Sequence, residues 1–335
     1  MNRKTSPMAN VWVQRAVIIG VLLLIMAIFQ RAFFSLGNAR GILMAIAIYG
    51  IMSCGMLLVM LVGGVDLAMG STAALTSVVA MNFYNTHGTT DQAFVIGLIL
   101  GILIAIAVGI VHGICDAYLK LPSFVVTLAS SNLLYGLASA YMHGSYIHLA
   151  NTTGLFYKLG NGRLFNVPMP IVVFVITAII VGLICATTTY GRRVYAVGSN
   201  RVAAEIVGIN SRLYRVSCYI ICSITACIGG CVLSSLSLIT SAVTAQGYEL
   251  MVMLALVVGG ADIMGGYGDI GGAVFGALLA GIIDNMIVLL DIDTNYSKAV
   301  RGVVIVIAIA FNVYTNRKAA GLVAPRRKKS KTASE

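Results

Sequence analysis

Apolar runs of about 20 residues follow one another along this chain with only short polar breaks, and each is long enough to cross a bilayer's hydrocarbon core as one helix. Hydropathy places candidate spans near 16–34, 41–62, 67–83, 94–119, 124–142, 167–187, 216–236, 248–260, 271–290 and 298–314, the eighth being short. With 59% hydrophobic and only 10% charged residues, little remains for a second, soluble domain. The fold class is therefore all-α, a polytopic membrane protein of about ten transmembrane helices. The expected organisation is an N-terminal segment 1–15, a single membrane domain 16–314 with a polar segment at 188–215, and a basic tail 315–335.

Charge sets the orientation. With both termini in the cytoplasm, the inside holds 16 Lys and Arg and the outside 6, the asymmetry of the positive-inside rule. The 188–215 segment and both terminal segments are then cytoplasmic. A net charge of +11 could suggest nucleic acid, but the basic residues flank spans and no aromatic-basic stacking module accompanies them. The tail reads instead as an orientation device that meets lipid headgroups. The first apolar run lacks a small-residue cleavage site close behind a short core, so it is expected to stay as helix one.

The chain has seven cysteines, all within or at the edges of spans, an odd number there that does not suggest a disulfide framework. Cys218, Cys222, Cys227 and Cys231 share one helix, but at about 100° per residue the two pairs face opposite ways, so no metal site is expected. No lysine follows a glycine, which removes the Walker A signature, and neither His-Glu-x-x-His nor Gly-x-Ser-x-Gly occurs. Gly266-Tyr-Gly-Asp269 resembles an element of intramembrane aspartyl proteases, yet the second aspartate and the later Pro-Ala-Leu are missing, and a turn between helices eight and nine is expected. No catalytic residue or bound cofactor is assigned.

Small-residue spacings at Gly97/Gly101, Gly109/Gly113 and Gly272/Gly276 predict close helix packing. Gly63-Gly-Val-Asp-Leu-Ala-Met-Gly70 has a loose echo in Gly259-Gly-Ala-Asp-Ile-Met-Gly-Gly266, and each suits either a turn or a broken helix dipping into the membrane. Ionisable groups in or near spans are Asp66, His112, Asp116, Glu249, Asp262 and Asp284. Asp66, Asp116 and Asp262 fall near predicted ends, where solvation is expected. Asp284-Asn285 lies well inside a span, and His112 is expected to bond a neighbouring backbone.

The polar island from Tyr190 to Ile209 separates two long apolar runs. Asn200 can cap a short helix and Gly208 can end it in a left-handed conformation, giving roughly two turns with Ala203 and Ala204 exposed for close contact.

At this island the chain resembles the permeases of bacterial sugar ABC importers of the ribose, galactose, arabinose and xylose type. The motifs are Gly191-Arg-Arg-Val-Tyr-Ala-Val-Gly-Ser-Asn200, Ala203-Ala204 and Gly208-Ile209, with Gly63 to Ser71, Pro122-Ser-Phe-Val-Val-Thr-Leu128, Tyr248-Glu-Leu and Val257-Val-Gly-Gly260 matching further blocks. The resemblance runs from about residue 16 to 318. It departs at Met251, where many relatives have Asp, and at Ala261-Asp262, where Thr-Ser is usual.

The resemblance implies a homodimer or a pair of related permeases in the bacterial inner membrane, with ATPase subunits below that use ATP and Mg, and a periplasmic or lipid-anchored sugar-binding protein above. It implies an ATPase-coupling segment at Gly191, Arg192, Arg193, Gly198, Asn200, Arg201, Ala203, Ala204, Glu205 and Gly208, its arginines pairing with acidic residues of the ATPase. A pathway for a neutral sugar needs spaced hydrogen-bonding groups, for which Asp66, Ser71, Thr127, Asn132 and Glu249 are the candidates. The competing expectations are a self-sufficient ion-coupled carrier and, further off, an intramembrane protease.

Overall fold

A computed structural model describes residues 26–291 continuously, with a few isolated positions on either side. Part of the first expected span, most of the tenth and both terminal segments lie outside the described residues. Residues 26–29 are helical and lead into a tight 3-10 turn, Arg31–Phe34. Long helices follow: α1 (Leu36–Leu61), α2 (Met69–Thr86), α3 (Asp91–Ala117) and α4 (Ser123–Tyr141). A layer of short elements then holds β1 (Ile147–His148), α5 (Leu155–Asn161) and the hairpin β2 (Arg163–Leu164) with β3 (Val167–Pro168). The chain continues through α6 (Met169–Thr187), α7 (Thr189–Ser199), α8 (Arg201–Ile206) and α9 (Ser211–Ser237). It closes with β4 (Ile239–Thr240), paired antiparallel with β1, then α10 (Tyr248–Val258) and α11 (Ile270–Leu289).

Six of these helices are long and apolar enough to cross a membrane, which makes the chain a multi-pass membrane protein. They match the expected spans closely, although α1 and α9 begin at Leu36 and Ser211 rather than near 41 and 216. The third expected span is α2, which is shorter and more polar, and the eighth is α10, whose 11 residues rise about 16 Å, half of a bilayer core.

Two kinds of helix result from one apolar composition. Residues 47–61 of α1 are buried on every side, as expected of a helix apolar all round and placed at the centre. It packs against α6, α9, α10 and α11. By contrast α3, α4 and α6 expose rows of Ile, Leu, Val and Phe, such as Ile99, Leu103, Phe124, Leu128, Ile176 and Ile180, the surface a lipid-facing helix presents.

The small-residue spacings act as expected. A Cβ at Gly97 would lie 2.7 Å from Ala80 O on α2, while one at Gly109 or Gly113 would lie 2.6 Å from the α9 backbone at Ile220 or Val216. Only glycine lets α3 approach two neighbours so closely. At Gly276 a side chain would collide with Ala255 O, which locks α11 to α10. Asn285 on α11 exchanges two hydrogen bonds with Asn38 on α1, at 2.9 and 2.7 Å, so that each amide satisfies the other within an apolar bundle.

Candidate functional site

The Gly-Gly echo is a pair of helix breaks built alike. At the end of α1, Gly63 adopts φ +77°, Gly63 N donates to Met60 O and Gly64 N to Val59 O. At the end of α10, Gly260 adopts φ +95°, Gly260 N donates to Val257 O and Ala261 N to Leu256 O. Both are left-handed caps that satisfy the last carbonyls of a helix. In each turn the aspartate then accepts from the backbone two residues on, Asp66 from Ala68 N and Asp262 from Met264 N, both at 2.9 Å. The two turns touch directly, since Gly266 N donates to Leu61 O at 2.9 Å. Gly266-Tyr-Gly-Asp269 is the expected turn, and Asp269 caps α11 by accepting from Gly272 N at 2.8 Å.

The first break goes further and re-enters the bundle. Residues 64–66 have no regular structure, 67–68 form a turn, and α2 starts beside the middle of α9, the Ala73 backbone lying against Gly230. Backbone groups freed in such a segment must find partners inside the protein. Helix α4 supplies them: Ser123 Oγ accepts from Val65 N at 3.2 Å, and Thr127 Oγ1 accepts from Leu67 N at 3.0 Å. Ser123 and Thr127 stand four residues apart and therefore share one helix face.

Asp66 lies at the heart of this break and is fully buried, with Asp116 only 4% exposed, so solvation does not account for either. Asp66 Oδ2 sits 3.7 Å from His112 Nδ1 and accepts from Cys222 Sγ at 3.7 Å. Nε2 of His112 meets Ser130 Oγ at 2.7 Å, a side-chain partner rather than the backbone one expected. Asp116 pairs with Arg215 Nη2 at 2.6 Å. The sequence places these aspartates near span ends, but the break carries one inward and a helix-to-helix ion pair encloses the other.

Four of the five pathway candidates come together here. Ser71 Oγ donates to Ala68 O within the first turn of α2, Thr127 holds the broken segment at Leu67 N, and Glu249 Oε2 presses against Gly70 beside the Tyr135 hydroxyl. Asn132 stands apart, exposed on α4 and, among the described residues, bonded only to Leu128 O of its own helix at 3.3 Å.

The island forms two helices where one of about two turns was expected. In α7, capped by Thr188, Val194 and Val197 turn inward while Arg192 and Arg193 stay exposed. Two of its groups brace the Gly-Gly turns: Tyr195 Oη donates to Gly268 O at 2.6 Å, and a side chain at Gly198 would collide with Leu61 O. Burial pushes the Tyr195 phenol up to about 12, so it remains a donor at neutral pH. Gly191 packs equally close against the carbonyls of Ile184 and Cys185.

Helix α8 follows at once. Asn200 Oδ1 accepts from Ala203 N at 3.0 Å, and Gly208 ends the helix at φ +82°, both as expected. The exposure of the alanines divides: Ala203 faces outward, but Ala204 is 3% exposed and belongs to the main core. A six-residue helix lying on a bundle must bury one face, and Ala204 is on it. The outward face is apolar, with Val202, Ile206 and Val207 at 68%, 80% and 73% exposed. Its charges are engaged within the chain. Arg201 Nε donates to Glu205 Oε1 and to Ser211 Oγ, both at 3.2 Å, and Ser211 Oγ donates to Glu205 Oε1. Arg192 donates to Thr187 O and Arg193 to Tyr214 Oη.

Residues 38–309 match the family described as branched-chain amino acid transport system, permease component. The chain belongs to this permease family. Ribose import permease RbsC of Haemophilus influenzae is 30% identical over 89% of this chain and 92% of its own length. RbsC of Escherichia coli is 32% identical over 86% and 89%, and the L-arabinose transport system permease AraH of that organism 31% over 90% of each chain. The resemblance to sugar ABC importer permeases that rests on the island thus extends along nearly the whole chain. No solved structure matches it.

Several groups that build the permease's two sites escape a reading of the sequence. Val202 and Ile206 carried a signal, apolar residues four apart on a short helix outside the membrane. Ser123 carried one too, four before Thr127. Tyr135 and the pairing of Asp116 with Arg215 carried none, since the contacts join helices distant in sequence. Among the described residues no group of His, Cys, Asp or Glu is placed to hold a metal ion.

Proposed function

We propose that this permease is the transmembrane subunit of an ATP-driven importer of a neutral monosaccharide, of pentose or hexose type, in the bacterial inner membrane. The observation that carries the reading is the outward face of α8. An apolar patch of Val202, Ala203, Ile206 and Val207 on a helix capped at both ends is a surface made to be covered by a partner. Its own charges are satisfied within the chain, so the patch can be desolvated at little cost.

The covering partner is an ABC ATPase subunit on the cytoplasmic side, which binds and hydrolyses ATP with Mg. This chain supplies no nucleotide chemistry. Closure of two ATPases moves α8, and α7 passes the movement to both Gly-Gly turns, exchanging inward and outward access. Arg192 and Arg193, exposed on α7 and each making one hydrogen bond within the chain, keep further N–H donors for acidic groups at the ATPase rim. The assembly pairs two permeases, identical or related, and receives solute from a periplasmic or lipid-anchored binding protein.

Asp66, Ser71 and Thr127 then serve the pathway by holding the broken segment, and Glu249 and Asn132 are the groups that meet the sugar. A pathway that keeps few strong contacts lets a solute leave as readily as it enters.

Uptake of labelled D-ribose and L-arabinose in cells separates this reading from an ion-coupled carrier. Uptake that persists under an uncoupler while ATP is maintained, and stops when ATP is depleted, is the expected result. Collapse under the uncoupler with ATP intact would assign the chain to the carrier class instead.

A further inference from the structure

Helix α9 begins one turn after the docking helix and carries Ser211, Arg215, Tyr219 and Cys222 at intervals of four, four and three residues, which places them on one face. Each meets a different group at a successive depth. Ser211 bonds Glu205 and Arg201 of α8. Arg215 bonds Asp116 of α3 at 2.6 Å. Tyr219 lies edge-on to His112, with ring centroids 6.3 Å apart, and its hydroxyl lies beside Gly64 in the first break. Cys222 reaches Asp66 itself at 3.7 Å. One rigid face thus connects the docking helix to the point where the bundle's central chain is broken.

We infer that α9 is the lever of this permease and that Arg215 and Asp116 are its positioning pair, fixing the register in which movement of α8 reaches the Asp66 break. The inference rests on α8 being the ATPase docking site. Three features favour transmission over simple anchorage. The α3 and α9 backbones are in contact at Gly109 and Gly113, so the two helices move together. Helix α7 is tied to the same lever through Tyr190 to Ser217 at 2.7 Å and Arg193 to Tyr214 at 2.8 Å. The pair is also a single ion bond, with Arg215 Nε and Asp116 Oδ2 left without partners among the described residues. A lone ion bond beside the close glycine contacts sets the register of two helices that already move as one body, rather than supplying the contact that holds them together.

The test is amide hydrogen exchange on the complex purified from native membranes, with and without ATP and vanadate, which together hold a P-loop ATPase closed. In the unaltered complex, protection is expected to change both at 201–206 and at 65–71. In Asp116→Asn and Arg215→Gln the change at 201–206 should persist while that at 65–71 falls at least tenfold. The charge-exchanged pair Asp116→Arg with Arg215→Asp should restore it. Should these variants fail to assemble, Cys222→Ala, which removes the last contact of the face and no charge, is expected to give the same split. A change at 65–71 equal to that of the unaltered complex in the single variants, or in Cys222→Ala, overturns the inference and leaves the docking site standing. No nucleotide-dependent change at 201–206 in the unaltered complex overturns the docking site and the inference with it.

Discussion

At the scale of single residues, the structure turns several apparent sugar contacts into supports. Thr127 is the clearest case, because its hydroxyl accepts from Leu67 N and donates to Ser123 O at 2.9 Å inside the bundle. Replacing it with valine leaves a buried N–H without an acceptor, at a cost of about 1–3 kcal/mol. Thr127→Val should therefore melt several degrees lower in detergent, while Thr127→Ser, which keeps the hydroxyl, melts near the parent. Equal melting of all three would mean that the break is held some other way. Glu205 gives a prediction in pH. Ser211's hydroxyl, and Arg201 after it, hold its carboxyl below the usual range. A carboxyl lowered on folding stabilises fully above its ordinary value and loses that contribution as pH falls through the lower one. Exchange protection of α8 should therefore stay constant from neutral pH down to the ordinary carboxyl value and weaken from there as pH falls through the lowered one, and Glu205→Gln should abolish the dependence. Loss of protection near neutrality would contradict the assignment.

At the scale of elements, the glycine contacts decide which helices move as one body. Gly109→Leu would force α3 away from Ile220, and overpacking of this kind costs about 1–3 kcal/mol. The variant is expected to insert and yet to be purified in reduced amount with a lowered melting temperature, whereas Gly136→Leu, with nothing near its missing side chain, should behave as the parent. Equal behaviour of the two would argue against a close-packed α3 and α9. The helices themselves were legible in the sequence because a bilayer core demands long apolar runs, and the caps of α8 were legible because Asn200 and Gly208 act locally. The fate of Ala204 was not, since which side of a short helix is buried depends on the bundle beneath it. Nor was the burial of Asp66, because Gly63-Gly64 permits either a turn at the surface or a return into the core. The choice was made by Ser123 and Thr127, some 60 residues away.

At the scale of the molecule, the two broken helix ends, the bracing helix α7 and the short helix α8, proposed as the docking helix, lie together on the island side of the bundle. The central claim is that this unit exists to be driven by a separate ATPase. The most direct test is to purify the tagged permease gently from its native membranes and to identify what accompanies it, alongside Val202→Asp and Ile206→Asp. These two changes place a charge in an apolar interface without touching the core, so insertion should be unaffected while affinity falls by about tenfold or more. The account predicts a P-loop ATPase with the parent and its loss from both variants at equal permease yield. A parent that emerges alone and still transports after reconstitution would contradict it.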